Sequence, residues 1–237
     1  MTDVILSSFI SLFALFGKEE QVDEARAKEM LVNYLRRHFG VRNTDVYIDL
    51  YDDMRMAYDM ADNIDSRQTV TTICNGLQGE IRSKEKSLLL LRLMEFCGYS
   101  EERDNVIFRT MAECFGISDD KYQDFSDFVS NKSTDRVMIH KLDNTDGEIR
   151  TLLNPLTGDL LFTYLGNDEV LFNDVPVLPG AYQVWLQSSV LKTKKDKPLY
   201  YSTIIDAYNR ANGQIVSSQN TIEFCGRDIN VRFPNSD

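Results

Sequence analysis

Ser130-Asn131-Lys132-Ser133-Thr134-Asp135 is a run of six residues with no apolar side chain, and the chain changes character across it. All five prolines (Pro155, Pro176, Pro179, Pro198 and Pro234) lie beyond it. Proline lacks a backbone donor and clashes with the preceding helical turn, so a stretch without one is free to be helical throughout. Charge shifts as well. Residues 1–132 hold 16 Lys and Arg against 24 Asp and Glu, net -8, while residues 133–237 hold 10 against 13, net -3. The run therefore reads as the boundary of a multi-domain α and β fold. An all-α helical bundle is expected at 1–131, an all-β sandwich at 135–220, and a tail at 221–237.

Before the boundary, apolar residues recur at helical spacing, and seven helices are expected. The first covers roughly 3–16. Val4 to Phe16 is apolar enough to resemble the core of a signal segment, but Asp3 rather than a basic residue precedes it and Gly17-Lys18-Glu19-Glu20 follows, so a mostly buried helix is the reading. The second spans 22–39 and ends at Gly40. The third, capped by Thr44, carries Val46, Leu50, Met54, Tyr58 and Ala61 as its apolar face. The fourth runs 67–80. The fifth starts at Ser83 and contains the Leu88-Leu89-Leu90-Leu91 run, the sixth runs from Ser100 to Gly116, and the seventh from Ser118 to Val129. Phe16-Gly17 and Cys97-Gly98, then Phe39-Gly40 and Phe115-Gly116, mark a weak internal repeat of two helical hairpins.

After the boundary the period shortens. Val137 and Ile139, then 148–153, 160–165, 170–172, 181–186, 189–191, 199–205 and 221–231 read as short strands separated by Gly, Pro and Asn turns. Ile204 to Asn212 admits a short helix or a strand.

The chain of 237 residues has a net charge of -11, which opposes binding to the phosphates of nucleic acid. No window approaches about 18 unbroken apolar residues, so direct membrane insertion is not expected. Cys74, Cys97, Cys114 and Cys225 form no CxxC pair, and a reducing compartment follows. His38 and His140 have no nucleophile or metal-spaced partner nearby in sequence, and no GxxxxGK[ST] loop exists to cradle phosphates. The chain is therefore expected to be no enzyme, with no catalytic residue and no cofactor. Three sets of charged residues are the candidates for binding. Asp45, Asp49, Asp52, Asp53, Asp59, Asp62 and Asp65 crowd one stretch, where a divalent cation could sit on several carboxylates or the acids could simply face water. Glu19 and Asp23 occupy an acidic loop and, with Asp45 and Asp49, are the metal candidates. Lys192, Lys194, Lys195 and Lys197 form the only basic run, which could touch phosphates or lipid, or be a solvated hairpin tip.

Phe16-Gly17-Lys18-Glu19-Glu20-Gln21-Val22-Asp23-Glu24 and Cys97-Gly98-Tyr99-Ser100-Glu101-Glu102 resemble the paired acidic loops of the TerB-like family, named for tellurite resistance. The resemblance covers about residues 1–130. That family usually has Asp before the glycine, and some members are thought to bind metal there; Phe16 and Cys97 stand in its place. The segment Gly166 to Gly180, with Asn173-Asp174 and Pro179-Gly180, resembles part of a forkhead-associated sandwich, but the phosphothreonine-reading pieces do not occur in order, so phosphopeptide binding is not implied. Ile222-Glu223-Phe224-Cys225-Gly226-Arg227-Asp228-Ile229-Asn230-Val231-Arg232-Phe233-Pro234-Asn235 resembles the opening strand of an ATP-binding cassette domain. Together these resemblances imply a cytoplasmic, non-catalytic region of a bacterial ATP-binding cassette transporter-type ATPase. Its partners would be the cassette domain downstream and other proteins, and the parent could be attached to the inner membrane. The alternative is a stand-alone stress-response module whose acidic loops bind a divalent cation.

Overall fold

A computed structural model describes residues 3–39, 42–61, 64–100, 106–153 and 160–211. Seven helices come first: α1 (Asp3–Glu19), α2 (Glu24–Phe39), α3 (Asp45–Met60), α4 (Ser66–Leu77), α5 (Ser83–Cys97), α6 (Val106–Cys114) and α7 (Asp119–Val129). Eight strands and a last helix follow: β1 (Val137–Lys141), β2 (Gly147–Leu153), β3 (Leu160–Gly166), β4 (Val170–Phe172), β5 (Val175–Pro176), β6 (Gln183–Trp185), β7 (Val190–Thr193), β8 (Leu199–Tyr200) and α8 (Tyr201–Ala211). An α region followed by antiparallel sheets is thus the architecture. The expected Gly40 helix end, the start of the sixth helix, Asp62, the turn between the strands at 148–153 and 160–165, and the strand at 221–231 lie outside the described residues.

A helix that is apolar on nearly every side must be covered on nearly every side. In α1, Ile10, Leu12, Ala14, Leu15 and Phe16 are all fully buried, and α1 packs against α3, α4 and α5. The leucine run of α5 joins the same core through Leu89, Leu90, Leu91, Leu93, Met94 and Phe96.

The helix ends correct the repeat. Gln21, Gly98, Gly116 and Asn131 all have left-handed φ, between 52° and 67°. At each, the next residue's N–H donates to a carbonyl five residues back: Val22 to Gly17, Tyr99 to Met94, Ile117 to Ala112 (each 2.9 Å) and Lys132 to Asp127 (2.8 Å). These are Schellman closures, two of them made without glycine. Gly98 therefore corresponds to Gln21, and Gly17 is not a helix end. It lies inside α1, where an added Cβ would fall 2.9 Å from the Tyr51 hydroxyl and 3.4 Å from the Phe96 ring. Close packing, not a turn, requires that glycine.

The strands form two antiparallel sheets, in the orders β1-β2-β3-β6 and β5-β4-β7-β8. Alternation along β2 and β3 gives the first sheet two apolar faces. One carries Val137, Leu152, Leu161 and Val184, paired in that order across the ladder. This face, with Tyr182, belongs to the same apolar cluster as the helical core. The Phe128 and Tyr182 rings lie 5.1 Å apart. The other face carries Ile149, Leu160, Phe162, Tyr164 and Trp185 and meets Val170 and Leu191 of the second sheet.

The second half is not all-β. The strand expected at 199–205 stops at Tyr200, and α8 begins at Tyr201. Ile204 and Tyr208, four residues apart on one helical face, both enter the sandwich core, and that spacing overrides the β-branched composition. The Tyr208 hydroxyl sits 2.7 Å from the Thr151 carbonyl and 2.8 Å from that of Arg136, so α8 is fastened to β2 and to the residue before β1. Val46 and Ala61 are also placed differently from expectation: both are exposed, and α3 turns Tyr51 inward instead.

Candidate functional site

Among the described residues, a cleft of about 1100 Å³ lies between the helical core and the rim of the sandwich. Met30 and Tyr34 from α2 and Leu88, Arg92 and Glu95 from α5 line one wall. The opposite wall is the continuous segment from Leu178 to Val184, which leads into β6. Among the described residues β6 ends its sheet and pairs only with β3, so a strand edge borders the cleft. Val175 and Leu178 on the lip are 63% and 44% exposed, apolar side chains left in water. Arg92 Nη1 and Glu95 Oε2 pair at 2.6 Å with side chains only 11% and 16% exposed. Burial pushes the Tyr34 phenol up to about 12 and raises that of Tyr182 further. Both stay protonated near neutrality, so neither is poised to accept a proton.

The lysine run is largely neutralised within its own hairpin neighbourhood. Lys192 pairs with Asp174 at 2.8 Å, Lys194 with Glu169 at 2.5 Å, and Lys195 with Asp168 at 2.6 Å. Lys195 holds the Asp168 carboxyl below its usual range, and the Asp146 N–H donates to the same carboxylate. Asp196 accepts from the Asn144 N–H at 2.8 Å, tying the tip to the β1–β2 turn. Lys197 is exposed and pairs with no carboxylate among the described residues. One free lysine is a weak anion site.

The acidic candidates are scattered over separate tasks. Glu19 accepts a hydrogen bond from the Ser66 hydroxyl at 2.8 Å, and Asp23 accepts from the Arg26 N–H at 3.0 Å in the first turn of α2. Asp52 pairs with Lys28 at 2.8 Å. Asp65 caps α4 by accepting from the Gln68 N–H at 3.0 Å. Asp45, in the first turn of α3, follows Asn43, whose side-chain carbonyl accepts its N–H at 3.2 Å. Asp49 and Asp53 line a shallow depression of about 500 Å³ with Ser7, Val46, Tyr47 and Leu50. Among the described residues, no three His, Cys, Asp or Glu side chains converge as a metal site would require.

His140, Cys74 and Cys97 are held quiet. The His140 ring lies 3.0 Å from the Thr151 hydroxyl, itself 3.0 Å from that of Tyr208, and burial lowers its pKa. Burial pushes the Cys74 thiol up to about 12 and the Cys97 thiol well above its ordinary value, far from the thiolate a nucleophile needs. His38 lies in the last turn of α2. Among the described residues, no helix is long and apolar enough to cross a membrane.

Sequence reasoning missed the cleft, because its walls come from three segments far apart in the chain (α2, α5 and 178–184). The only signal was the apolar content of the Val175–Leu178 loop. No family model matches the chain, and neither a curated protein nor a solved structure matches it.

Proposed function

We propose that this chain is a non-catalytic docking and regulatory region of a bacterial ATP-binding cassette ATPase. The observation that carries the docking part is the cleft, which is walled by helices on one side and by the edge of a sheet on the other. A ligand seated there touches both halves at once, and it stabilises whichever arrangement of them makes the most contacts with it. The apolar lip at Val175 and Leu178 suits a protein segment better than a polar metabolite. The protonated tyrosines and thiols and the hydrogen-bonded histidine support the non-catalytic part. The resemblance of residues 222–235 to a cassette's opening strand supports the choice of neighbour. Sequencing the gene beyond the codon for Asp237 tests that choice: a Walker A loop within a few tens of residues supports it, and a stop codon there refutes it.

A further inference from the structure

Helix α3 presents a stripe on its outer side that no described element covers. Val46, Asp49, Asp53, Met56 and Met60 are spaced 3, 4, 3 and 4 residues apart, and all five are exposed. At 3.6 residues per turn they fall within about 40° of one line, opposite the buried Tyr51. A 3-4 spacing is the seam that one helix offers another in coiled-coil packing. Val46, Met56 and Met60 are 63%, 50% and 73% exposed, an apolar content that a solvated face does not need. The two polar positions of the seam are both carboxylates. Neither Asp49 nor Asp53 makes an ion pair or side-chain hydrogen bond among the described residues, although Asp49 lies near enough to Lys28 to favour that lysine's charge. Both line the depression of about 500 Å³ whose floor includes Tyr47 and Leu50.

We propose that this stripe docks an amphipathic helix of a partner protein that carries Lys or Arg opposite Asp49 and Asp53. A long basic side chain matches the depression: its methylenes would lie on Val46, Tyr47 and Leu50 while its charged head reaches the carboxylates. Apolar residues of the same helix would cover Met56 and Met60, whose flexible thioethers adapt to varied partners. The charges exclude a second copy of this chain. Antiparallel two-fold pairing of the stripe sets Asp53 against Asp53, and parallel pairing sets both aspartates against themselves. The net charge of -11 adds to that repulsion and also opposes an anionic membrane.

The proposal deepens the docking reading but does not depend on the cassette. It is tested on residues 1–237 without nucleotide, so its failure leaves the cassette reading to the gene sequence and to ATP turnover. The probe is a labelled 21-residue helical peptide with leucines at 3-4 spacing and lysines opposing Asp49 and Asp53. A control peptide carries Glu in place of those lysines. Fluorescence anisotropy should show saturable binding of the Lys peptide, weakened by salt. The Asp49→Lys plus Asp53→Lys variant should bind it about tenfold more weakly and should bind the Glu peptide instead. Met56→Ser plus Met60→Ser should also weaken the Lys peptide, which keeps the test open if the charge reversal fails to fold. Lack of saturable binding, or equal affinity before and after charge reversal, overturns the proposal. So does a dimer in sedimentation that disappears in Met56→Ser, or cosedimentation with anionic vesicles through this stripe.

Discussion

Replacing Phe128 by alanine should weaken both halves of the molecule together. Phe128 is fully buried near the end of α7, its ring 5.1 Å from that of Tyr182, whose sheet face shares the helical core. Removing such a ring costs about 3–5 kcal/mol, through lost transfer free energy and the cavity left behind. At about 3 kcal/mol per molar urea, the unfolding midpoint should fall by about 1–1.7 M. The sequence contains one tryptophan, Trp185, which lies buried in the other core, between the two sheets. Its fluorescence therefore reports the sandwich, while circular dichroism at 222 nm reports mainly the helices. If the cluster spanning the boundary couples them, both signals shift by the same amount in the variant. A helical signal that shifts while the Trp185 transition stays at its wild-type midpoint refutes the coupling.

Gln21→Gly and Asn131→Gly each relieve a left-handed residue at a Schellman closure and should stabilise the chain by roughly 0.5–1 kcal/mol, seen as a melting temperature higher by about 1–4 °C. Gly17→Ala should do the opposite, because its methyl meets the Tyr51 hydroxyl; an unchanged melting temperature would show that the contact relaxes freely. Burial lowers the His140 pKa below its unfolded value near 6.5, so its contribution is complete above about pH 6.5 and is lost as the pH falls through the depressed folded value. Urea midpoints compared at pH 7.5 and 5.5 should show that loss in the wild type and a smaller one in His140→Gln. Alkylation at pH 8 should leave Cys74 and Cys97 unmodified in the native protein and label both in urea; native labelling at the rate of a free thiol contradicts their burial.

The order of helices before antiparallel sheets was legible because proline and periodicity act locally. A proline-free stretch with i, i+3, i+4 apolar spacing can bury its stripes only as helices, and seven formed close to where they were expected. What escaped was decided by tertiary contact. Gly17 resembles a helix-ending glycine, yet it exists to let Tyr51 and Phe96 approach α1. Val46 fits the apolar face of α3 by spacing from Leu50, but Tyr51 takes the inward position and leaves Val46 in water. Ile204 to Asn212 admitted a helix or a strand, and the docking of Tyr208 against Thr151 shows why Tyr201–Ala211 is a helix. The lysine run admitted either a phosphate or lipid contact or a solvated hairpin tip, and sequence could not choose because its neutralising acids, Asp168, Glu169 and Asp174, lie in turns about 20 residues away or more. The cleft was invisible for the same reason, since no single segment contains it.

ATP turnover measured with and without an intact cleft tests the central claim most directly. Residues 1–237 alone should neither bind ATP saturably below about millimolar nor hydrolyse it, because no loop of backbone donors and lysine holds the phosphates. On the proposed cassette reading, a chain continued past Asp237 should do both. In that longer chain, Val175→Asp plus Leu178→Asp, at two exposed lip positions, should change the turnover rate severalfold while leaving the two unfolding signals of residues 1–237 unchanged. Hydrolysis by residues 1–237 that survives repurification contradicts the non-catalytic reading. A longer chain without turnover contradicts the cassette reading, and turnover indifferent to the lip substitutions contradicts regulation through the cleft.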